Sequence, residues 1–185
     1  MSRSKPLAHL KVLDFSAVYA GPICSRLLSD CGADVIKVET IQGGDVTRGP
    51  KGTSRVFSHF NAGKRSIAID LKHRAGQDIA RQMLAEADVV IENFRPGVMA
   101  QFGLDYTSVK QIKPDIVYCS ISGFGQQGPF AQRAAYAPIA HAASGFDIAH
   151  MRTQLDSDAP SVSSIMIADM LTGSYAFGAI QTALL

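Results

Sequence analysis

The sequence predicts a doubly wound α/β fold, a parallel sheet flanked by helices, and three observations predict it. Short β-rich runs recur at 10–16, 34–39, 66–71, 88–94 and 115–122. Stretches with helical spacing of apolar residues separate them, and the first strand–helix–strand unit fits into about thirty residues, the size of a right-handed βαβ crossover. Glycine and proline gather in the segments that follow strands, where such folds carry their loops.

The first run, Leu-Lys-Val-Leu-Asp-Phe-Ser at 10–16, is bounded by small residues and reads as a largely buried strand. Ala20-Gly21-Pro22 opens a helix in which Ile23, Leu27 and Leu28 fall on one face and which Gly32 stops. Residues 34–39 give the second strand. Six glycines and prolines between Thr40 and Lys64 break all periodicity, and this stretch reads as one long polar loop. A strand at 66–71, a helix at 74–87 and a strand at 88–94 follow. Pro96 marks a helix start, short helices are expected at 97–102 and 106–112, and a fifth strand at 115–122. After a loop at 123–129 come an Ala-rich helix at 136–150, a polar stretch at 152–164 and an apolar helix from 165 to 185. The last helix has no closing glycine, proline or cation, so residues 1–185 read as the N-terminal portion of a larger domain.

Composition narrows the function classes. With 46% hydrophobic and 18% charged residues, the 185-residue chain can bury a core and is not a disordered segment. Eighteen Lys and Arg against sixteen Asp and Glu give a net charge of +2, which argues against nucleic-acid and membrane partners. Cys24, Cys31 and Cys119 form no CxxC pair and suit a reducing compartment, and no run resembles a signal peptide or a membrane span, so a cytoplasmic location is expected. His141 and His150 lack metal-ligand spacing and read as packing or surface histidines, and no metal is expected.

Ligands of open parallel sheets gather at the C-terminal strand ends. Val18-Tyr19-Ala20 leads into a helix whose N–H groups suit an anion, though it lacks GxGxxG, and a plain strand-to-helix turn explains it as well. The glycine-rich stretch around Arg48 offers a guanidinium for phosphate or a solvated side chain. Glu92-Asn93-Phe94-Arg95-Pro96 brings an amide, a ring and a charge to one strand end, as a nucleotide grip or a strand terminus. Asp169 lies in an apolar, small-residue helix, where a carboxylate must be near the helix N-terminus, paired or functional.

Taken in order, Leu13-Asp-Phe-Ser, Ala20-Gly-Pro, Gly32-Ala-Asp-Val-Ile-Lys-Val-Glu39, Gly44-Asp45, Asn61-Ala-Gly-Lys-Arg-Ser-Ile67, Asp70-Leu-Lys72, Asp88-Val-Val-Ile-Glu-Asn-Phe-Arg-Pro-Gly97, Ser122-Gly-Phe-Gly125 and Ala168-Asp169 resemble the class III (CaiB/BaiF-type) CoA transferases. That family includes formyl-CoA transferase, the carnitine-related CoA transferase and α-methylacyl-CoA racemase. The resemblance covers nearly the whole chain and implies a Rossmann-like large domain of a two-domain enzyme, with the small domain and a C-terminal return segment outside this sequence. It implies CoA transfer between an acyl-CoA and a carboxylic acid, with no prosthetic group, by an interlocked homodimer. Asp169 would be the catalytic carboxylate, forming an aspartyl mixed anhydride and then an enzyme–CoA thioester. Tyr136 and Gly173 would border the substrate, and Val18, Tyr19, Ala20, Lys72, Asn93, Phe94 and Arg48 would hold CoA.

Two departures shift phosphate binding toward Arg48 or Lys72. Thr40 stands where relatives often have an arginine, and Gln101 where some have another. A 2-methylacyl-CoA racemase and a catalytically incomplete fragment are the alternatives. The racemase branch needs a histidine where Tyr136 stands, and a phenol of pKa ~10 is a poor base at neutral pH, which favours transfer.

Overall fold

The computed structural model describes residues 5–50, 54–154, 159–160 and 163–185, so parts of the expected 40–64 loop and 152–164 polar stretch lie outside the described residues. Five strands form one parallel sheet: β1 (Lys11–Asp14), β2 (Asp34–Glu39), β3 (Arg65–Ala68), β4 (Val89–Glu92) and β5 (Val117–Ser120), in the order β3-β2-β1-β4-β5. Val12 pairs with Val35 on one side and Val89 on the other, which puts the most apolar strands at the centre.

Alternation along these strands fills two layers. Val12, Val35, Val89 and Ile91 face one cluster with Cys24 and Leu28 of helix α1 (Ala20–Asp30) and Ile180 of the long terminal helix, α8 (Ile167–Leu184). Leu13, Val38 and Val90 face the other with Ala80 and Leu84 of α3 (Arg74–Ala85), Leu104, and Val109 of α5 (Tyr106–Ile112). Each such fully buried aliphatic side chain stabilises the fold by about 1.5–3 kcal/mol, so a period of two on the strands sets both layers. The doubly wound architecture is the one expected.

Two sequence expectations differ from the structure. The stretch between β2 and β3 is not all loop: it holds a 3₁₀ turn at Val46–Arg48 and helix α2 (Arg55–Asn61), whose N-cap Ser54 accepts from the Phe57 N–H at 3.0 Å. The surrounding glycines mask this seven-residue helix. The Ala-rich helix is two helices, α6 (Ala137–Ser144) and α7 (Phe146–Met151), because Gly145 takes φ 77° between them. A short helix α4 (Val98–Gln101) follows β4 as expected.

The strand order reverses between β1 and β4, since their connections leave toward opposite edges of the sheet. The loops after these two strands therefore flank a crevice, the place where open α/β sheets hold their ligands.

Candidate active site

A buried ionic network builds the β1 side of this crevice. On β2, Lys37 shares a face with Val35, and its ammonium donates to the Ser16 carbonyl at 2.6 Å and pairs with Asp45 at 3.0 Å. Lys64 pairs with Asp14 at 3.0 Å and also donates to the Pro22 carbonyl and the Asn61 amide oxygen. Lys37, Lys64, Asp14 and Asp45 have side chains no more than 1% exposed. Burial alone would raise the Asp14 carboxyl, but the Lys64 and Lys37 ammoniums and the hydroxyls of Ser16 and Ser25 overcome it and hold the pKa at about 2. Buried charges of this kind cost several kcal/mol unless every group is satisfied, and these are.

The network shapes the loop that enters α1. Val18 takes φ 71°, a conformation that costs a β-branched residue on the order of 1–3 kcal/mol, and its N–H donates to Asp45 at 3.2 Å. The neighbouring Ala17 is clamped by Asn93, whose amide oxygen accepts from the Ala17 N–H at 2.8 Å and whose amide nitrogen donates to the Ala17 carbonyl at 2.7 Å. Asn93 thus ties the β4 loop to the β1 loop across the crevice.

Above these loops opens a cleft of about 410 Å³. Its walls include Val18 and Ala20 from the β1 side, Asn93, Phe94 and Arg95 from the β4 side, Arg133 and Tyr136 from the segment after β5, and Asp169 and Thr172 from α8. Among the described residues, Asp169 is the only carboxylate that lines it. It sits in the first turn of α8, so the helix-terminus reading and the cleft position coincide.

Close approach of α8 to α1 puts Asp169 there. One turn after Asp169, Gly173 lies so close to α1 that a Cβ would stand 2.5 Å from the Ala20 carbonyl oxygen and 2.8 Å from the Ile23 Cβ. Asp169 thereby comes against the first residue of α1 and the first residue of α6. Burial raises its pKa, opposed by the backbone N–H groups of Ala20 and Ala137. A partly desolvated carboxylate held by two helix N-termini is oriented yet weakly solvated, which suits attack on a carbonyl carbon.

His141 was not legible as part of this site. It is buried, and its Nε2 accepts from the Ala168 N–H at 3.1 Å. No side chain of α8 itself caps that helix start, so an imidazole from α6 supplies the acceptor one residue before Asp169. The expected packing histidine is therefore a cap. His150 stacks on Phe146, 5.9 Å between ring centroids.

The predicted residues divide into three groups. Asp169, Tyr136, Val18, Ala20, Asn93 and Phe94 meet in the cleft, although the Asn93 amide is already engaged by Ala17. Gly173 and Tyr19 stand outside its lining: Gly173 packs closely against Ala20 and Ile23 of α1, and Tyr19 packs edge-on against Phe60. Arg48 and Lys72 are outside its lining. Arg48 is bound to Glu39, 2.8 Å from Nε to Oε1, and lies 3.8 Å over the Phe57 ring, so its guanidinium braces the loop. Lys72 is exposed beyond the end of β3. Among the described residues no group of His, Cys, Asp and Glu has metal-site geometry, and no helix is long and apolar enough to cross a membrane.

Comparison with known proteins gives this arrangement its family. The description "CoA-transferase family III" fits residues 7–185. The chain belongs to CoA-transferase family III. It is 42% identical to the succinate–glutarate CoA-transferase of Agrobacterium fabrum, over 100% of this chain and 48% of that protein. It is likewise 42% identical to the human succinyl-CoA:glutarate CoA-transferase, over 100% of this chain and 43% of that one. A crystal structure of a CaiB/BaiF family protein from Brucella suis superposes with a TM-score of 0.89 at 42% identity, covering 98% of this chain and 50% of the other. This family III chain thus spans about half the length of the relatives it matches.

Proposed function

We propose that the protein transfers CoA from an acyl-CoA to a carboxylic acid, with Asp169 as the nucleophile. The observation that carries this reading is the position of Asp169, among the described residues the sole carboxylate lining the cleft at the strand switch point. The family membership and the names of the relatives support the reaction class.

The cycle has four exchanges. An Asp169 carboxylate oxygen attacks the donor thioester carbonyl, and the C–S bond breaks to give a mixed anhydride and CoA thiolate. The thiolate then attacks the aspartyl carbonyl, expelling the donor acid as its carboxylate and leaving CoA as a thioester on Asp169. The acceptor carboxylate attacks that thioester, releasing the thiolate and forming a new anhydride. Thiolate attack on the acceptor's carbonyl yields the new acyl-CoA and restores the Asp169 carboxylate. No proton is gained or lost, and each tetrahedral oxyanion requires preorganised donors.

CoA would lie along the C-terminal edge of the sheet. Its thioester arm would pass Val18, Ala20 and Phe94. Its nucleotide end would reach toward β3, two strand spacings or about 10 Å from β1, where the exposed Lys72 ammonium can meet phosphate. The engagement of Arg48 by Glu39 leaves Lys72 as the better phosphate ligand of the two. In the whole protein, we place the remaining half of the relatives' length and the partner subunit of a homodimer over the exposed apolar side chains Leu171 and Tyr175. A racemase needs a second base opposite Asp169, and exposed Tyr136 offers only a phenol there.

The test is Asp169→Asn, which keeps size and removes the nucleophile. CoA exchange should fall to background while acyl-CoA still binds; exchange at the wild-type rate would remove Asp169 from the reaction.

A further inference from the structure

Among the described residues, the charged side chains that line the cleft besides Asp169 are two arginines. Arg95 stands in the loop after β4, and Arg133 in the segment after β5. Their two segments are tied together next to them, because the Gln132 amide donates to the Pro96 carbonyl at 3.4 Å. The Arg133 guanidinium lies flat over the Phe130 ring, 4.1 Å from its centroid, and Phe130 is itself packed edge-on against Phe124. A guanidinium stacked in this way keeps its N–H edge available for a planar, two-oxygen partner. Neither arginine has an ion-pair partner among the described residues.

Both guanidiniums are exposed on this wall with no counter-ion among the described residues, which leaves them available to an anion. A substrate can supply that anion, because among the described lining residues the one carboxylate is the proposed nucleophile. Acylation of Asp169 removes that negative charge and leaves two cations among the described lining residues. The lining then favours a substrate that keeps a negative charge after its reacting carboxylate has become an acyl group.

We propose that Arg95 and Arg133 form a second carboxylate subsite, so that the acids exchanged are dicarboxylates, with one carboxylate reacting at Asp169 and the other held by the guanidinium pair. This inference rests on the reading of Asp169 as nucleophile. It assigns specificity to two residues that take no part in bond making. A bidentate arginine–carboxylate contact gives planar geometry as well as attraction, which sets the chain length between the two ends of the acid.

The experiment compares the enzyme with its Arg95→Met and Arg133→Met variants, using glutarate and pentanoate as matched five-carbon acceptors and titrating free CoA separately. Loss of a charge-assisted hydrogen bond should raise the KM for glutarate by about 10- to 100-fold in each variant. It should leave pentanoate kcat/KM, CoA affinity and the melting temperature unchanged. An unchanged glutarate KM in both variants overturns the proposal. So does a weakened CoA affinity with glutarate unaffected, which makes the pair a phosphate site. Asp169→Asn run alongside separates the two readings: exchange that survives it removes the nucleophile, whereas exchange lost with Asp169 and insensitive to both arginines removes the subsite alone.

Discussion

Gly173→Ala tests the link between helix packing and chemistry. The added methyl would stand 2.5 Å from the Ala20 carbonyl oxygen and 2.8 and 2.9 Å from the Ile23 Cβ and Cγ2. The first of these is backbone at the start of α1 and cannot rotate away, so α8 must withdraw by about 1 Å to restore ordinary contact. Overpacking of this kind costs about 1–3 kcal/mol, which at this chain length lowers Tm by about 2–4 °C per kcal/mol. Asp169 is one turn away on the same helix and moves with it, and a displacement of about 1 Å at a reacting group costs on the order of 100-fold in rate. The expected variant is folded, less stable and impaired in kcat with acyl-CoA KM little changed. Gly178→Ala is the control: a Cβ there meets nothing within 4 Å, and the substitution should be neutral or stabilise the helix by up to about 1 kcal/mol. Thermal unfolding by circular dichroism and steady-state CoA exchange read both effects. A Gly173→Ala protein with wild-type Tm and kcat would refute the claim that this close approach positions Asp169.

Two further outcomes follow from the site's construction. His141→Leu removes the acceptor for the Ala168 N–H and should cost about 0.5–2 kcal/mol with a loss of kcat, whereas His141→Gln, whose amide oxygen can reach the same N–H, should recover most of both; equal damage in the two variants would show that capping is not the role. Acid unfolding reads the buried network. The folded Asp14 pKa of about 2 lies below its unfolded value of ~3.9, so its stabilisation is complete above about pH 4 and is lost as pH falls toward 2. That shift corresponds to about 2–3 kcal/mol, an upper bound for the pair because burial pulls the Lys64 ammonium down against the attraction of Asp14. Asp14→Asn should flatten the stability curve between pH 4 and 2, measured by denaturant titration, and an unchanged slope would contradict the assignment.

The sheet was legible because its signal is local. Each strand is a run of β-branched or apolar residues beside a glycine or a cap, and residues 34–39 are found with the bounds expected. The fourth run overshot, since Phe94 prolongs the apolar run in sequence but Asn93 and Phe94 turn into the loop where pairing with β5 ends at Glu92. Asp169 was legible because an acid in an apolar helix violates the helix's own pattern. What was hidden depends on partners distant in sequence: Asn93 clamps Ala17 across 76 positions, and His141 meets Ala168 across 27. Lys37 reads locally as an ordinary polar residue in a strand, and only the return of the chain at Asp45 makes its burial tolerable. Arg95 and Arg133 carry no mark in the sequence that separates them from other surface arginines; their shared wall exists only once Gln132 meets Pro96.

The most direct test of the central claim is mass spectrometry of the enzyme mixed with succinyl-CoA and quenched within the first turnover. The reading offered here predicts a peptide containing Asp169 that carries either the acyl group or CoA, lost on treatment with hydroxylamine and missing from Asp169→Asn. An enzyme that exchanges CoA while its Asp169 peptide stays unmodified, with the adduct on another residue or on none, would contradict it.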